Sequence, residues 1–437
     1  MTFLSNLKYY FMKDVGAPVI MGYSKITHKR GPVKLNPGFN PPLKCRHRLR
    51  EIMARHYFLS RYAPGAKPVA WVTSGAPVDI LRAFDFYTVY PENHGALCGA
   101  QKMGSTLCEI AEAHGYHQDL CAYARIDLGH YFSGKTPAGR LPKPDLLFAS
   151  NNICQTVVYW YKALAHYYRI PLILFDTPYH FEALSEHDFF YMVRQLEAMI
   201  PKLEQISGKK FEYKTLQSRV RVGKKTSFTW GQILGTMTAR PAPMTIFDAF
   251  IHLAPVVSLR GLPVALDYYQ ILLAELQERV EKGIGAITHE RKRLMWDNIA
   301  IWYKVRDLSN LFASHGMNFV TDTYTTAWAE TNRFMDEQDP FASLAKVYSQ
   351  VILNKNLNYR LQLMERLIRE FQVDGLVIHS ARSCKPYSVG QYDLKRILME
   401  RLGISSVIIE ADIADSRVYA EDQTRIRLDA FFESLEE

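Results

Sequence analysis

A chain of 437 residues, 48% hydrophobic and 22% charged, has room for two or three domains at roughly 100–200 residues each. That composition excludes disorder, coiled coil and collagen, and no apolar run approaches the ~20 residues of a membrane span. The net charge of +9 leaves a phosphate-bearing or acidic partner open.

In chain order, residues 1–62 read as an extended, proline-containing arm followed by a helix over His47–Tyr62. The opening MTFLSNLKYYFMKDVG lacks the apolar core and cleavage site of a secretory signal, so a cytoplasmic protein is expected, without membrane contact. Residues 63–208 form a first α/β lobe. The runs PVAWVTS (68–74), PDLLFAS (144–150) and IPLILFDTP (170–178) read as strands, and Pro77–Phe84, Ile153–Tyr168 and Glu186–Ile206 as helices. Strand, helix, strand at this spacing predicts parallel βαβ units.

Residues 209–315 read as a connecting region, irregular over Lys209–Pro263, then helical over Val264–Lys282 and Glu290–His315. Residues 316–437 form a second α/β lobe. Its strands are MNFVTDTY (317–324), DGLVIHS (374–380) and SSVIIEAD (405–412). Its helices cover most of Ala342–Gln372, Tyr392–Leu402 and Ala420–Glu437. The architecture expected is α/β: two parallel-sheet lobes around a helical middle segment, with an N-terminal arm and no tandem repeat.

The stretch GHYFSGKT (129–136) matches the phosphate-loop pattern, but that chemistry needs a strand before it and a helix after it. Charges in AYARIDL argue against a buried strand, and the prolines of TPAGRLPKP against a helix. The densest basic stretch, His28–Arg50, contains Lys29, Arg30, Lys34, Lys44, Arg46, Arg48 and Arg50 but is broken by prolines. It carries no nucleic-acid motif, so a solvated face or an acidic-ligand funnel is expected and nucleic acid is not.

The six cysteines, at 45, 98, 108, 121, 154 and 384, stay reduced in an unsecreted chain. Cys154 and Cys384 each follow the carboxyl end of an expected strand, where α/β sheets bind ligands. A helix N-terminus there favours a thiolate or an anionic cluster. With Cys121 they could hold an iron–sulfur cluster between the lobes. Zinc lacks its C-x-x-C or paired-histidine spacing. Buried packing thiols are the other reading, and the one given to Cys45, Cys98 and Cys108. Ser74, Asp79, His379 and Ser380 stand at strand ends or helix starts and are candidate substrate contacts. Trp296, Trp302 and Tyr303 are expected in the core.

Taken together, PVDILRAFDFYTVYPENHG (77–95), Cys121 with Arg125, PDLLFASNNICQT (144–156), Trp296–Trp302, VIHSARSCKPYS (377–388) and the terminal EADIADSRVYAEDQTRIRLDAFFE resemble one family. It comprises the catalytic subunits of 2-hydroxyacyl-CoA dehydratases and ATP-dependent benzoyl-CoA reductases. The resemblance implies two flavodoxin-like (Rossmann-like) lobes holding a 4Fe-4S cluster on Cys121, Cys154 and Cys384, with one iron left open. It implies a related but unlike catalytic subunit as partner. A separate ATPase activator, with its own 4Fe-4S cluster and a ferredoxin upstream, would deliver low-potential electrons, so ATP belongs on the partner. The acyl-CoA thioester is then reduced to a ketyl radical that loses water or, in the reductases of anaerobic aromatic degradation, reduces an aromatic ring. Dehydratase subunits usually carry Glu where this chain has Asp79, and FDFYTVYPEN is reminiscent of the larger reductase subunit. Those two features tilt the expectation toward the reductase. A cluster scaffold passing electrons without substrate chemistry is the alternative of another class. The positive charge would meet coenzyme A phosphates and an acidic partner surface.

Overall fold

The computed structural model describes residues 2–20, 22, 37–179 and 183–436. Lys29, Arg30 and Lys34 of the basic stretch lie outside these residues. Among the described residues, no helix is long and apolar enough to cross a membrane.

Short buried strands build two four-stranded sheets. The first contains β1 (Val69–Val72), β2 (Tyr87–Val89), β3 (Leu146–Ser150) and β4 (Leu172–Phe175) in the order β2-β1-β3-β4. The second contains β5 (Lys292–Asp297), β6 (Met317–Asp322), β7 (Gly375–Ala381) and β8 (Ser405–Ala411) in the order β6-β5-β7-β8. Every pairing is parallel, as the βαβ spacing predicts. Both sheets therefore share one topology, a duplication that no sequence repeat announces. In each, the strand order reverses between the first and third strands, which opens a ligand crevice outside their carboxyl ends.

Three expected elements are corrected. Glu290–His315 is not one helix: Lys292–Asp297 is β5, a 3-10 turn covers Trp302–Lys304, and α-helix begins only at Val305. All but the first residue of β5 are buried, so it shows no two-residue alternation, and its charged ends disguise it. Arg293 is satisfied inside the core by Glu290 at 2.7 Å and by the Phe371 carbonyl at 2.8 Å. The irregular stretch after Lys209 holds a long helix, Tyr213–Gly235. Its buried stripe of Leu216, Val220, Ser227, Trp230 and Leu234 has helical spacing, masked by the interleaved basic run. The N-terminal arm is helical over Phe3–Phe11, where the Thr2 hydroxyl accepts from the Ser5 amide at 3.2 Å. Trp296 and Tyr303 are buried and Trp302 packs against the core as expected, although Trp296 lies on a strand.

The apparent phosphate loop is packing geometry. AYARIDLGHYFS is the helix Ala122–Ser133, and Gly134 (φ 68°) ends it in the left-handed conformation. A side chain at Gly129 would meet the Leu107 carbonyl oxygen at 2.0 Å. Gly129→Ala is therefore expected to cost about 1–3 kcal/mol through overpacking, read from the denaturation midpoint at unchanged slope.

A second prediction concerns the carboxyl end of β5. Asp297 is fully buried and holds Arg360 at 2.5 Å, while accepting from Thr323 at 2.8 Å and Gln391 at 3.1 Å. Asp297→Ala strands the Arg360 charge in the interior and should cost about 3–5 kcal/mol, visible as a lowered midpoint in urea.

Candidate active site

The carboxyl ends of the two sheets meet around one cavity of about 140 Å³. Seven strands deliver a lining residue just beyond their ends: Ser74 after β1, Glu92 after β2, Cys154 after β3, Ile299 after β5, Tyr324 after β6, Cys384 after β7 and Ile413 after β8. The lobes are held in this pose by direct bonds. Arg125 pairs with Asp415 at 2.9 Å, the Ala122 amide donates to Ser383 Oγ at 3.0 Å, and Asn152 Nδ2 donates to the Tyr348 carbonyl at 2.9 Å.

Cys121, Cys154 and Cys384 all line this cavity, and each immediately precedes a helix that it caps. The Val157 amide donates to Cys154 Sγ at 3.4 Å. The amides of Ala124 and Tyr387 similarly favour the Cys121 and Cys384 thiolates. Burial outweighs this help. It pushes Cys384 up to about 12, Cys121 well above the usual thiol range, and Cys154 upward. The neighbouring thiols add to the rise, since Cys121 feels both others and Cys384 feels Cys154. Three thiolates in such company need a positive group to hold them ionised. Among the described residues, no three His, Cys, Asp or Glu side chains converge on a single ion. A polynuclear group, which takes its thiolates on separate irons, makes no such demand, and the three cysteines could serve it.

Cys45, Cys98 and Cys108 are buried elsewhere. Cys45 neighbours the Tyr268 hydroxyl at 3.8 Å, Cys98 neighbours His94 at 3.4 Å, and Cys108 points at the Ala122 carbonyl at 3.9 Å.

Of the four expected substrate contacts, Ser74 alone lines the cavity. Its amide donates to Glu92 Oε2 at 2.5 Å and its hydroxyl donates to the same oxygen. Glu92 also lines the cavity. Burial raises its carboxyl by more than the two Ser74 bonds lower it. Asp79 is fully buried and does not reach the cavity; it faces Arg260 at 3.9 Å and accepts from Tyr348 at 3.3 Å. His379 is fully buried within β7, its Nδ1 2.7 Å from the Ile299 carbonyl, and burial lowers its pKa to about 4. Ser380 opens on a separate cleft with Arg382, Lys385 and Arg427.

Sequence reasoning missed Glu92 and Arg260. Glu92 stands in the first turn of the helix Pro91–Ala100, directly after β2, a strand hidden in FDFYTVYPEN. An acid there reads as an ordinary helix-dipole partner. Arg260 lies in a turn between helices, with no motif to mark it.

A parallel two-lobed α/β fold with paired cysteine-bearing strand ends defines a class, and comparison with known proteins gives its name. The 2-hydroxyglutaryl-CoA dehydratase D-component family matches residues 73–435, and the chain belongs to it. Among its relatives is the (R)-2-hydroxyisocaproyl-CoA dehydratase alpha subunit of Clostridioides difficile, 33% identical, with 85% of this chain and 91% of that protein aligned. The (R)-phenyllactyl-CoA dehydratase alpha subunit of Clostridium sporogenes is 32% identical over 90% of this chain and 96% of its own length. A benzoyl-CoA reductase subunit of Thauera aromatica is 29% identical over 85% and 90% respectively.

Proposed function

We propose that this chain is the cluster-bearing subunit of a 2-hydroxyacyl-CoA dehydratase. The observation that carries the reading is the convergence of Cys121, Cys154 and Cys384 with the Ser74–Glu92 pair on one cavity between two lobes. The Asp79 departure, which tilts the sequence reading toward the reductase, loses its weight because that carboxyl is walled off from the cavity.

A 4Fe-4S cluster on the three cysteines, with one iron open and one low-potential electron from an ATP-hydrolysing activator, would supply the activation of the thioester carbonyl. The remaining work falls to the chain. Glu92, its carboxyl raised by burial, suits holding a proton for the departing hydroxyl and regaining one from the neighbouring carbon. The proton balance then closes on water and an enoyl thioester. Ser74 fixes which Glu92 oxygen faces Ser74 and which is free to act. Tyr123, Trp160 and Tyr387, all buried, wall the cavity and restrict water. The reading includes a related, unlike partner subunit and a ferredoxin upstream of the activator.

Reduction of an aromatic acyl-CoA is the second reading, favoured by the aromatic lining of Tyr123, Trp160, Tyr324, Trp328 and Tyr348. Anaerobic copurification with the partner and activator, followed by turnover on a 2-hydroxyacyl-CoA and on benzoyl-CoA, decides between them. Enoyl-CoA formation is expected; ring reduction alone would transfer the assignment to the reductase. Calorimetry with either thioester tests the electron-carrier alternative, which predicts iron without acyl-CoA binding.

A further inference from the structure

A second cavity, of about 30 Å³, adjoins the first at Glu92. Ser74, Glu92, Tyr123 and Tyr324 line both, so these four side chains form the partition between them. The three cysteines line the larger cavity and not the smaller. Phe250, Leu253 and Val257 give the smaller one its apolar wall. Such a volume holds about one or two waters and is too small for an acyl chain.

The polar atoms of this wall suit a water. Both Ser74 bonds end on Glu92 Oε2, which leaves Oε1 to accept. The Tyr123 hydroxyl accepts from Trp302 Nε1 at 2.5 Å, and its own proton remains to donate. Asn93, also in the wall, directs its amide protons to Ser258 Oγ at 3.0 Å and the Tyr57 hydroxyl at 3.5 Å. Its side-chain oxygen is therefore a second acceptor. A buried water makes about three hydrogen bonds, and two acceptors with one donor match that need. Tyr123 and Tyr324 both feel the Glu92 charge, which adds to the rise that burial gives their hydroxyls.

We propose that this small cavity is a water site and that it receives the water released by the elimination. The receiving role rests on the dehydratase reading above. In that reaction the bond from carbon 2 to the hydroxyl breaks with its electron pair going to oxygen, and Glu92 gives the proton that completes water. Glu92 regains a proton from carbon 3, and the activating electron is returned as the enoyl thioester forms. Drawing the water behind Glu92 takes it out of reach of the new double bond while the product departs.

Crystals of the full chain grown without oxygen test the site directly. An ordered water within hydrogen-bond distance of Glu92 and of Tyr123 or Asn93 is expected; a cavity without water density overturns the site. Asn93→Leu, which leaves the larger cavity untouched, should lose that water. In the chain assembled with its partner and activator, it should lower kcat about tenfold, with KM and iron content unchanged. Ala254→Leu fills the small cavity from a half-buried position and should do the same, which keeps the test intact if Asn93→Leu fails to fold. An unchanged kcat in either folded variant overturns the receiving role, even with water in the crystals. If the assembly reduces benzoyl-CoA and forms no enoyl-CoA, the dehydratase reading fails and takes the receiving role with it, while the crystals still decide the water site.

Discussion

Cys154→Ser is expected to empty the protein of iron and extinguish turnover together. Anaerobically purified wild type should be brown and carry about four irons and four sulfides per chain. The serine variant should be colourless and lose its activity, because no fourth cysteine lines the cavity to take its place. Cys121→Ser and Cys384→Ser should behave alike, since all three thiols line one cavity. Cys45→Ser, whose sulfur packs beside Tyr268, should change neither iron nor rate. Iron and sulfide analysis with EPR reads the result. Full iron in Cys154→Ser would refute the ligand assignment, and an iron-free wild type with six free thiols would end the enzyme reading.

Glu92→Gln is expected to separate chemistry from cofactor content. The amide keeps the size of the carboxylate and can still meet Ser74, so iron should stay at the wild-type level. Losing a positioned acid–base group should lower kcat about 10²–10⁴-fold. Ser74→Ala removes the hydroxyl bond to Glu92 but not the backbone one, so its loss should be milder, about tenfold. Glu92→Gln with full activity would move the proton transfer to another group. Loss of iron in that variant would show that Glu92 supports the cluster site instead.

Much of this was legible in the residues. Strands buried on both faces announce themselves as apolar runs, which is why β1, β3, β6 and β7 fall where the sequence puts them. Cys154 and Cys384 were readable because a strand end followed by a helix start is a definable place in an α/β chain. The hidden parts share a cause: long-range partners that no local window contains. β5 carries Arg293, whose guanidinium is buried against the Phe371 and Ala239 carbonyls, far along the chain, as well as against nearby Glu290. Asp79 and His379 stand at promising positions, but the turn of the backbone carries their side chains into the core. Glu92 became a candidate only when β2 brought it beside Ser74.

The duplicated strand order gives equivalent positions to unlike halves: Cys154 follows the third strand of one sheet and Cys384 the third strand of the other. A ligand held by both would act as a staple across an interface that also holds the Arg125–Asp415 and Arg417–Glu112 ion pairs, several hydrogen bonds and a shared apolar core. On that view colour reports posture. Lesions at the seam, remote from any sulfur, should bleach the protein by letting its halves drift apart.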